Sequence, residues 1–206
     1  MSENYLGLDQ DRDKLTGDAG VHLFLPVLGK MARLQKLMLA NNGLRAHGIE
    51  SLASTINSLQ SLAKLDVGYN DLGAKGASAL AKLLAGQSTA LTSLILDGNF
   101  FSENDETDAL VEEISKKTEL NLLSIRGNNI KGATAVKLCD ALGMLTNVTT
   151  LNISENNFGA KETKAFILAV TKMTKLTELV ANNALDEDLL GELKEAVPAG
   201  CEVEAW

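Results

Sequence analysis

The stretch from Leu96 to Asp108 (LDGNFFSENDETD) gathers acidic side chains and asparagines at the close spacing of a calcium loop. Read as such a loop from Asp97, it puts Phe101 where the fifth position must supply an oxygen. Ser102 stands where the sharp turn requires Gly, and Asp108 where a bidentate Glu should close the coordination. The metal reading fails at these fixed positions. His22 and His47 are the chain's two histidines, one on a predicted first helix and one in a predicted turn before Gly48. Neither has a Cys, Asp or second His at metal-ligand spacing. Cys139 falls at a helix position filled by Ala53, Ala81 and Ile167 elsewhere, so it reads as a packing residue rather than a nucleophile. The pair Glu112-Glu113 reads as a solvated helix face. Neither a G-x-x-x-x-G-K-[ST] loop nor a G-x-G-x-x-G turn occurs. No catalytic constellation, cofactor or small-molecule substrate is expected, and the protein reads as a non-enzyme.

Composition narrows the partners. The 206 residues are 45% hydrophobic and 22% charged, with a net charge of −8. That is material for one substantial core in an acidic, globular chain. A phosphate backbone would be repelled, which argues against nucleic acid. No apolar run approaches the ~20 residues a bilayer crossing needs, so no membrane partner is expected. Two cysteines make no disulfide framework, and the acidic N-terminus is unlike a signal peptide. A cytoplasmic location follows as the expectation.

Self-similarity decides the architecture. Five segments share the pattern L-x-x-L-x-L-x-x-N: Leu34-Leu37-Leu39-Asn42, Leu62-Leu65-Val67-Asn70, Leu91-Leu94-Leu96-Asn99, Leu120-Leu123-Ile125-Asn128 and Val148-Leu151-Ile153-Asn156. Their starts step by 28, 29, 29 and 28 residues, and a weaker sixth begins at Leu176. An apolar residue follows two positions after each Asn: Leu44, Leu72, Phe101, Ile130, Phe158. A helical pattern comes next, clearest in GAKGASALAKLLAG (73 to 86), where Leu80, Leu83 and Leu84 share a face. Strand alternation turns the two apolar residues of L-x-L inward. One repeat cannot bury its own apolar face, whereas stacked repeats share a core. Each Asn closes its strand because a short amide can both accept from and donate to buried backbone. An apolar residue there would leave those groups unpaired, at roughly 1–3 kcal/mol each. Asn42, Asn70, Asn99, Asn128 and Asn156 are therefore structural.

This pattern resembles the leucine-rich repeat. Its length and its G-A-x-x-L-A-x-x-L helix resemble the ribonuclease-inhibitor-like subtype found in NOD-like receptors and Ran GTPase-activating proteins. The resemblance implies an α/β solenoid, a horseshoe or arc with a parallel concave β-sheet and convex α-helices. One domain spans residues 1–206. Residues 1–33 form a partial N-terminal cap with a short Leu6/Leu8 strand and a helix carrying Val21, Phe24 and Leu28, kinked or delayed by Pro26. Residues 34–175 hold five full repeats, and 176–206 a degenerate repeat and closing strand. Around Leu179 to Leu185 one residue is missing from the template, which predicts a shortened or slipped strand. A last helix over 186 to 197 is stopped by Pro198-Ala-Gly200. Cys201 to Trp206 then alternates like an edge strand with Cys201 and Val203 inward, and reads as a natural C-terminus.

With repeat register imposed, LDGNFFSENDETD loses its mystery. Phe101 is a core residue, and the acidic run favours the positive end of the following helix, capped by Ser102 or Thr107. What remains for function is the outward strand face. Its positions are Lys36, Met38 and Ala40; Lys64, Asp66 and Gly68; Ser93, Ile95 and Asp97; Leu122, Ser124 and Arg126; Thr150, Asn152 and Ser154; then Glu178 and Val180. Met38, Ile95 and Leu122 are large apolar residues at positions the alternation predicts as exposed. Tyr69 and Phe100 project from the turns, the signature of a protein-binding patch. Charge runs from Lys36 and Lys64 to Glu155 and Glu178, polarity that would orient a partner. Two plainer readings stand beside this: Arg126 pairs with Asp97 on the next strand, and Ile95 and Leu122 lie against each other.

The expected function is a non-enzymatic scaffold that binds another protein through this face and its turns. An alternative is a GTPase regulator, because Leu94 to Asp105 is similar to a repeat of Ran GTPase-activating proteins (L-x-G-N-x-F-S-E-x-D). Another is a fragment of an NOD-like receptor or an effector.

Overall fold

The computed structural model describes residues 18–86, 91–183 and 187–205. Among them seven helices and seven strands alternate, beginning with α1 (Asp18–Leu28) and β1 (Lys36–Met38). There follow α2 (Arg45–Ile56), β2 (Lys64–Asp66), α3 (Gly73–Gly86), β3 (Ser93–Ile95), α4 (Asp105–Ser115), β4 (Leu122–Ser124), α5 (Gly132–Leu142), β5 (Thr150–Asn152), α6 (Ala160–Val170), β6 (Glu178–Val180), α7 (Glu187–Ala196) and β7 (Glu202–Glu204). The strands form one parallel sheet in chain order, β1 to β7. Each strand pairs with the next in a register that keeps the repeat positions aligned, from Leu37↔Leu65 through Leu179↔Val203. Parallel strands sit ~4.8 Å apart, whereas packed helices need ~8–10 Å. The array must therefore bend with the sheet inside and the helices outside, the arc predicted from the repeat.

The core is one continuous cluster running the length of the array. The strand residues Leu37, Leu65, Leu94, Leu123, Leu151 and Leu179 contribute one buried row. Leu44, Leu72, Phe101, Ile130 and Phe158 contribute another, as the repeat period requires. Helices supply Leu52, Leu80, Leu110, Leu138 and Phe166. Cys139 is buried, and loss of solvation there pushes its thiol up to about 12. It packs and does not react as a thiolate.

The Asn ladder binds each repeat to the next. Asn70 Oδ1 accepts the Asn42 N–H at 2.9 Å, and Asn99, Asn128 and Asn156 do the same for Asn70, Asn99 and Asn128, at 3.0, 2.8 and 3.2 Å. Each of these amides also donates backwards: Asn128 Nδ2 reaches the Leu96 and Ile125 carbonyls at 3.0 Å each. The side chain thus satisfies backbone groups of its own turn and of its neighbour's.

The structure corrects several expectations. β6 is neither shortened nor slipped: Thr150↔Glu178 and Asn152↔Val180 keep full register. The missing residue comes out of the turn instead, so Asn183 takes the ladder place and accepts the Asn156 N–H at 2.9 Å. Deleting from the turn costs less than deleting from the strand, where a one-residue slip would turn Leu179 out of the core. Pro26 lies inside α1, which continues to Leu28. His47 lies on α2, exposed, beside Glu50, rather than in a turn. The Leu6/Leu8 strand, Leu185 and Trp206 fall outside the described residues. α7 ends at Ala196 before Pro198, and β7 presents Glu202 and Glu204 with Val203 half-buried.

Candidate functional site

Register turns the sheet face into two rows. One reads Lys36, Lys64, Ser93, Leu122, Thr150, Glu178, Glu202, and the other Met38, Asp66, Ile95, Ser124, Asn152, Val180, Glu204. The first row places two lysines side by side at one end and two glutamates side by side at the other, all four exposed. Neighbouring like charges on adjacent strands disfavour the sheet, so nothing about folding calls for them.

Between those ends the face is less open than its alternation predicts. Met38, Ile95 and Leu122 are half-buried, not exposed, because flat strands at ~4.8 Å spacing let neighbouring side chains shade one another. Asp66, Ser93 and Ser124 are buried on the same face. Asp66 Oδ1 accepts the Gly68 N–H at 3.0 Å, and Asn152 Oδ1 takes the Ser154 N–H at 3.0 Å and its hydroxyl at 2.6 Å. Both oxygens are thereby engaged in local turns.

Asp97 and Arg126 are not an ion pair. Asp97 Oδ1 accepts the Ser124 hydroxyl at 2.6 Å and the backbone N–H of Arg126 at 2.9 Å. The Arg126 guanidinium donates instead to the Glu155 carboxylate on the far side. Burial pushes the Asp97 carboxyl up, opposed by those two hydrogen bonds and reinforced by Asp66. Burial raises Asp66 as well, against the Gly68 hydrogen bond.

The turns that follow the strands form a rim. The residue before each ladder Asn is left-handed in the first five repeats: Asn41 (φ 56°), Tyr69 (56°), Gly98 (61°), Gly127 (64°) and Glu155 (56°). One position beyond the ladder Asn, Gly43, Asp71, Phe100 and Asn129 are left-handed too. Asn, Asp and Gly suit this region, whereas an aromatic residue is an outlier there. Yet Tyr69 is 49% exposed and Phe100 59% exposed. The Tyr69 ring lies across Gly98, where an added Cβ would come within 2.5 Å of Cδ1. Gly98 and Gly127 therefore leave a low saddle between Tyr69 and the Arg126–Glu155 pair. Sequence reasoning overlooked both glycines, although their recurrence one place before the ladder Asn was the available signal.

The acidic stretch is explained by capping, and not by the residues expected. Asn104 is the N-cap of α4, accepting the Thr107 N–H at 2.8 Å. Thr107 donates its hydroxyl to the Phe101 carbonyl at 2.7 Å, while Ser102 occupies a left-handed turn position. Glu103 reaches into the next repeat and accepts the Ala133 N–H at 2.9 Å, at the start of α5. Among the described residues no group of three or more His, Cys, Asp or Glu side chains could hold a metal ion. No helix among them is long and apolar enough to cross a membrane.

Comparison with known proteins agrees with the strand-turn-helix unit. Residues 58–81 and 145–161 match a family profile described as a leucine-rich repeat. The chain is similar to the ribonuclease inhibitor of Sus scrofa, 27% identical over 197 residues, covering 94% of this chain and 43% of that protein. The chain is built of leucine-rich repeats and is similar to the ribonuclease-inhibitor-like subtype. It is also similar to the NACHT, LRR and PYD domains-containing protein 3 of Homo sapiens, 35% identical over 114 residues, 54% of this chain and 11% of that one. The leucine-rich-repeat chain spans less than half the length of these curated relatives. Among solved structures, an internalin C2 from Listeria monocytogenes aligns with a TM-score of 0.46 at 17% identity, over 96% of this chain and 88% of that one.

Proposed function

We propose that this leucine-rich-repeat protein is a non-enzymatic binding module. Its ligand is another protein, held on the concave sheet face and the adjoining turn rim. The observation that carries the reading is the pair Tyr69 and Phe100. Bulky residues at positive φ cost on the order of 1 kcal/mol each relative to Asn or Gly. Equivalent turns in this chain use Asn41, Gly98, Gly127 and Glu155 at the Tyr69 position, and Gly43, Asp71 and Asn129 at the Phe100 position. Two aromatics held at that cost while half or more exposed contribute little to the core, and exposed aromatics are the usual anchors of protein interfaces.

The flanking charges supply orientation. Lys36 and Lys64 stand at one end of the row and Glu178 and Glu202 at the other, roughly 30 Å away by strand spacing. A partner with opposite polarity relieves both like-charge pairs and docks in one sense only. Between them lie half-buried Met38, Ile95 and Leu122, the saddle with Asp97, Arg126 and Glu155, and the polar Asp66 and Asn152. A relative named for inhibiting a ribonuclease supports a protein ligand for this array.

Affinity capture from the source cell, with mass spectrometry and three baits, tests the reading. The baits are the natural chain, a Tyr69→Asn/Phe100→Asn double variant and a helix-face control, Leu168→Asn. A specific partner is expected with the natural chain and the control, and is lost with the double variant. Retention by the double variant and loss with the control would move the interface to the helices.

A further inference from the structure

A second surface, on the helical side, has the makings of a separate docking groove. An open cleft of about 510 Å3 runs between α4 and α5. Its floor is apolar and low, made of Ala109 and Ala141, with Met144 at its far end. Met144 is 60% exposed although it follows directly on a buried helix turn. Small side chains on both facing helices leave the cleft unfilled.

Its walls are acidic. Asp105, Asp108 and Glu112 line one side and Asp140 the other, with Lys137 the only basic residue among the lining. Lys137 is engaged, pairing with Asp108, which also accepts the Thr134 hydroxyl at 2.7 Å. Glu112 shares Lys116 with Glu113, while Asp105 and Asp140 enter no ion pair among the described residues. The acidity is local as well. α4 carries five acidic residues and no basic one, whereas α3 carries only Lys75 and Lys82 as charged groups, and α6 carries Lys161 and Lys164 beside Glu162. The positive end of the α4 dipole favours the first-turn acids Asp105, Glu106 and Asp108. It does not account for Glu112 and Asp140 near the other end of the cleft.

We infer that this cleft is a docking groove for a basic amphipathic helix of a partner protein. The length fits: eleven residues of α4 span roughly 16 Å, about three turns. A helix seats its ridge of side chains in a groove between two helices and satisfies its own backbone. An extended peptide would lay unpaired N–H and C=O groups over Ala109 and Ala141. Apolar anchors at helical spacing would reach the alanine floor and Met144. Lysines or arginines beside them would meet Asp105, Glu112 and Asp140. The groove lies on the opposite side of the solenoid from the sheet face, so the two surfaces can be occupied at once.

The test uses the full chain and a fluorescein-labelled helical peptide of fourteen residues, with Leu at i, i+3, i+4 and i+7 and Lys at the flanking positions. Saturable binding is expected, with amide shift changes centred on Ala109, Ala141 and Met144, weakening as salt rises. A Glu112→Lys/Asp140→Lys variant should bind about tenfold more weakly or worse, and both sites are exposed, so folding is retained. Met144→Gln, which leaves the charge untouched, should also weaken the complex. The same peptide with Glu for Lys should not bind. Shift changes on the sheet face or scattered over the surface would overturn the inference. So would unchanged affinity in the charge-reversed variant, or concentration-dependent shifts at the groove in the peptide-free chain, which would make a second copy its occupant.

Discussion

Single side chains in this protein divide sharply between holding the turns and standing out from them. Asn128 accepts the Asn99 N–H and donates to the carbonyls of Leu96, Ile125 and Arg126. Asn128→Leu matches the heavy-atom count but leaves the buried Asn99 N–H unpaired, while the Leu96, Ile125 and Arg126 carbonyls keep Asn99 Nδ2, Asn156 Nδ2 and the Gly98 N–H. A loss of roughly 1–3 kcal/mol is expected in chemical denaturation. Asp97 makes an opposite, pH-dependent case. Its folded carboxyl is raised by burial, so the native state holds the proton to higher pH than the unfolded chain. Its contribution is therefore complete below the ordinary carboxylate value and is lost as pH rises through the raised folded value. Asn at 97 can still accept from Ser124 and Arg126 but cannot ionise. Stability of Asp97→Asn measured from mildly acidic to neutral pH should fall less steeply than that of the natural chain, and relief of repulsion on Asp66 adds to the effect. Residue roles of the first kind were legible in sequence, because the ladder Asn recurs in register. Roles set by a neighbour 27 to 29 residues away, such as Ser124 and Glu155 choosing between Asp97 and Arg126, were not.

Elements follow the sequence where hydrophobic period and turn chemistry agree. α3 runs from Gly73 to Gly86, the bounds its apolar face and flanking glycines indicate. β6 escaped that logic because a deletion can be absorbed on either side of a strand, and only packing of Leu179 and Ala181 decides which. α4 escaped it for another reason: an acidic run offers several capping residues, and geometry selects Asn104. Asn104→Ala should cost about 1 kcal/mol by losing the Thr107 N–H bond, whereas Ser102→Ala should cost only a few tenths, judged by thermal unfolding. Gly132→Ala is expected to cost more than an ordinary exposed substitution. Its φ is +54°, and a Cβ would meet the Glu103 carboxylate at 2.2 Å, displacing the cap that α5 receives from the preceding repeat.

Across the whole molecule, stability is a sum of units that each lean on the next, through Leu rows, strand pairs and the Asn ladder. That dependence made the solenoid readable from five in-register segments alone. It did not make the exposure of the sheet face readable in the same way, because alternation marks which residues point outward and not how far neighbours cover them. Met38, Ile95 and Leu122 point outward and are half covered, while Tyr69 and Phe100 are the more exposed, Tyr69 with its ring against Gly98. The proposed binding role therefore rests on those two aromatics, placed at positive φ at the expense of the fold. The most direct test pairs two readings on the Tyr69→Asn/Phe100→Asn variant: its denaturation midpoint, and its affinity for a partner captured by the natural chain. Stability equal to or up to about 2 kcal/mol above the natural chain, with affinity lost, is the predicted result. A clear loss of stability with affinity unchanged would contradict it.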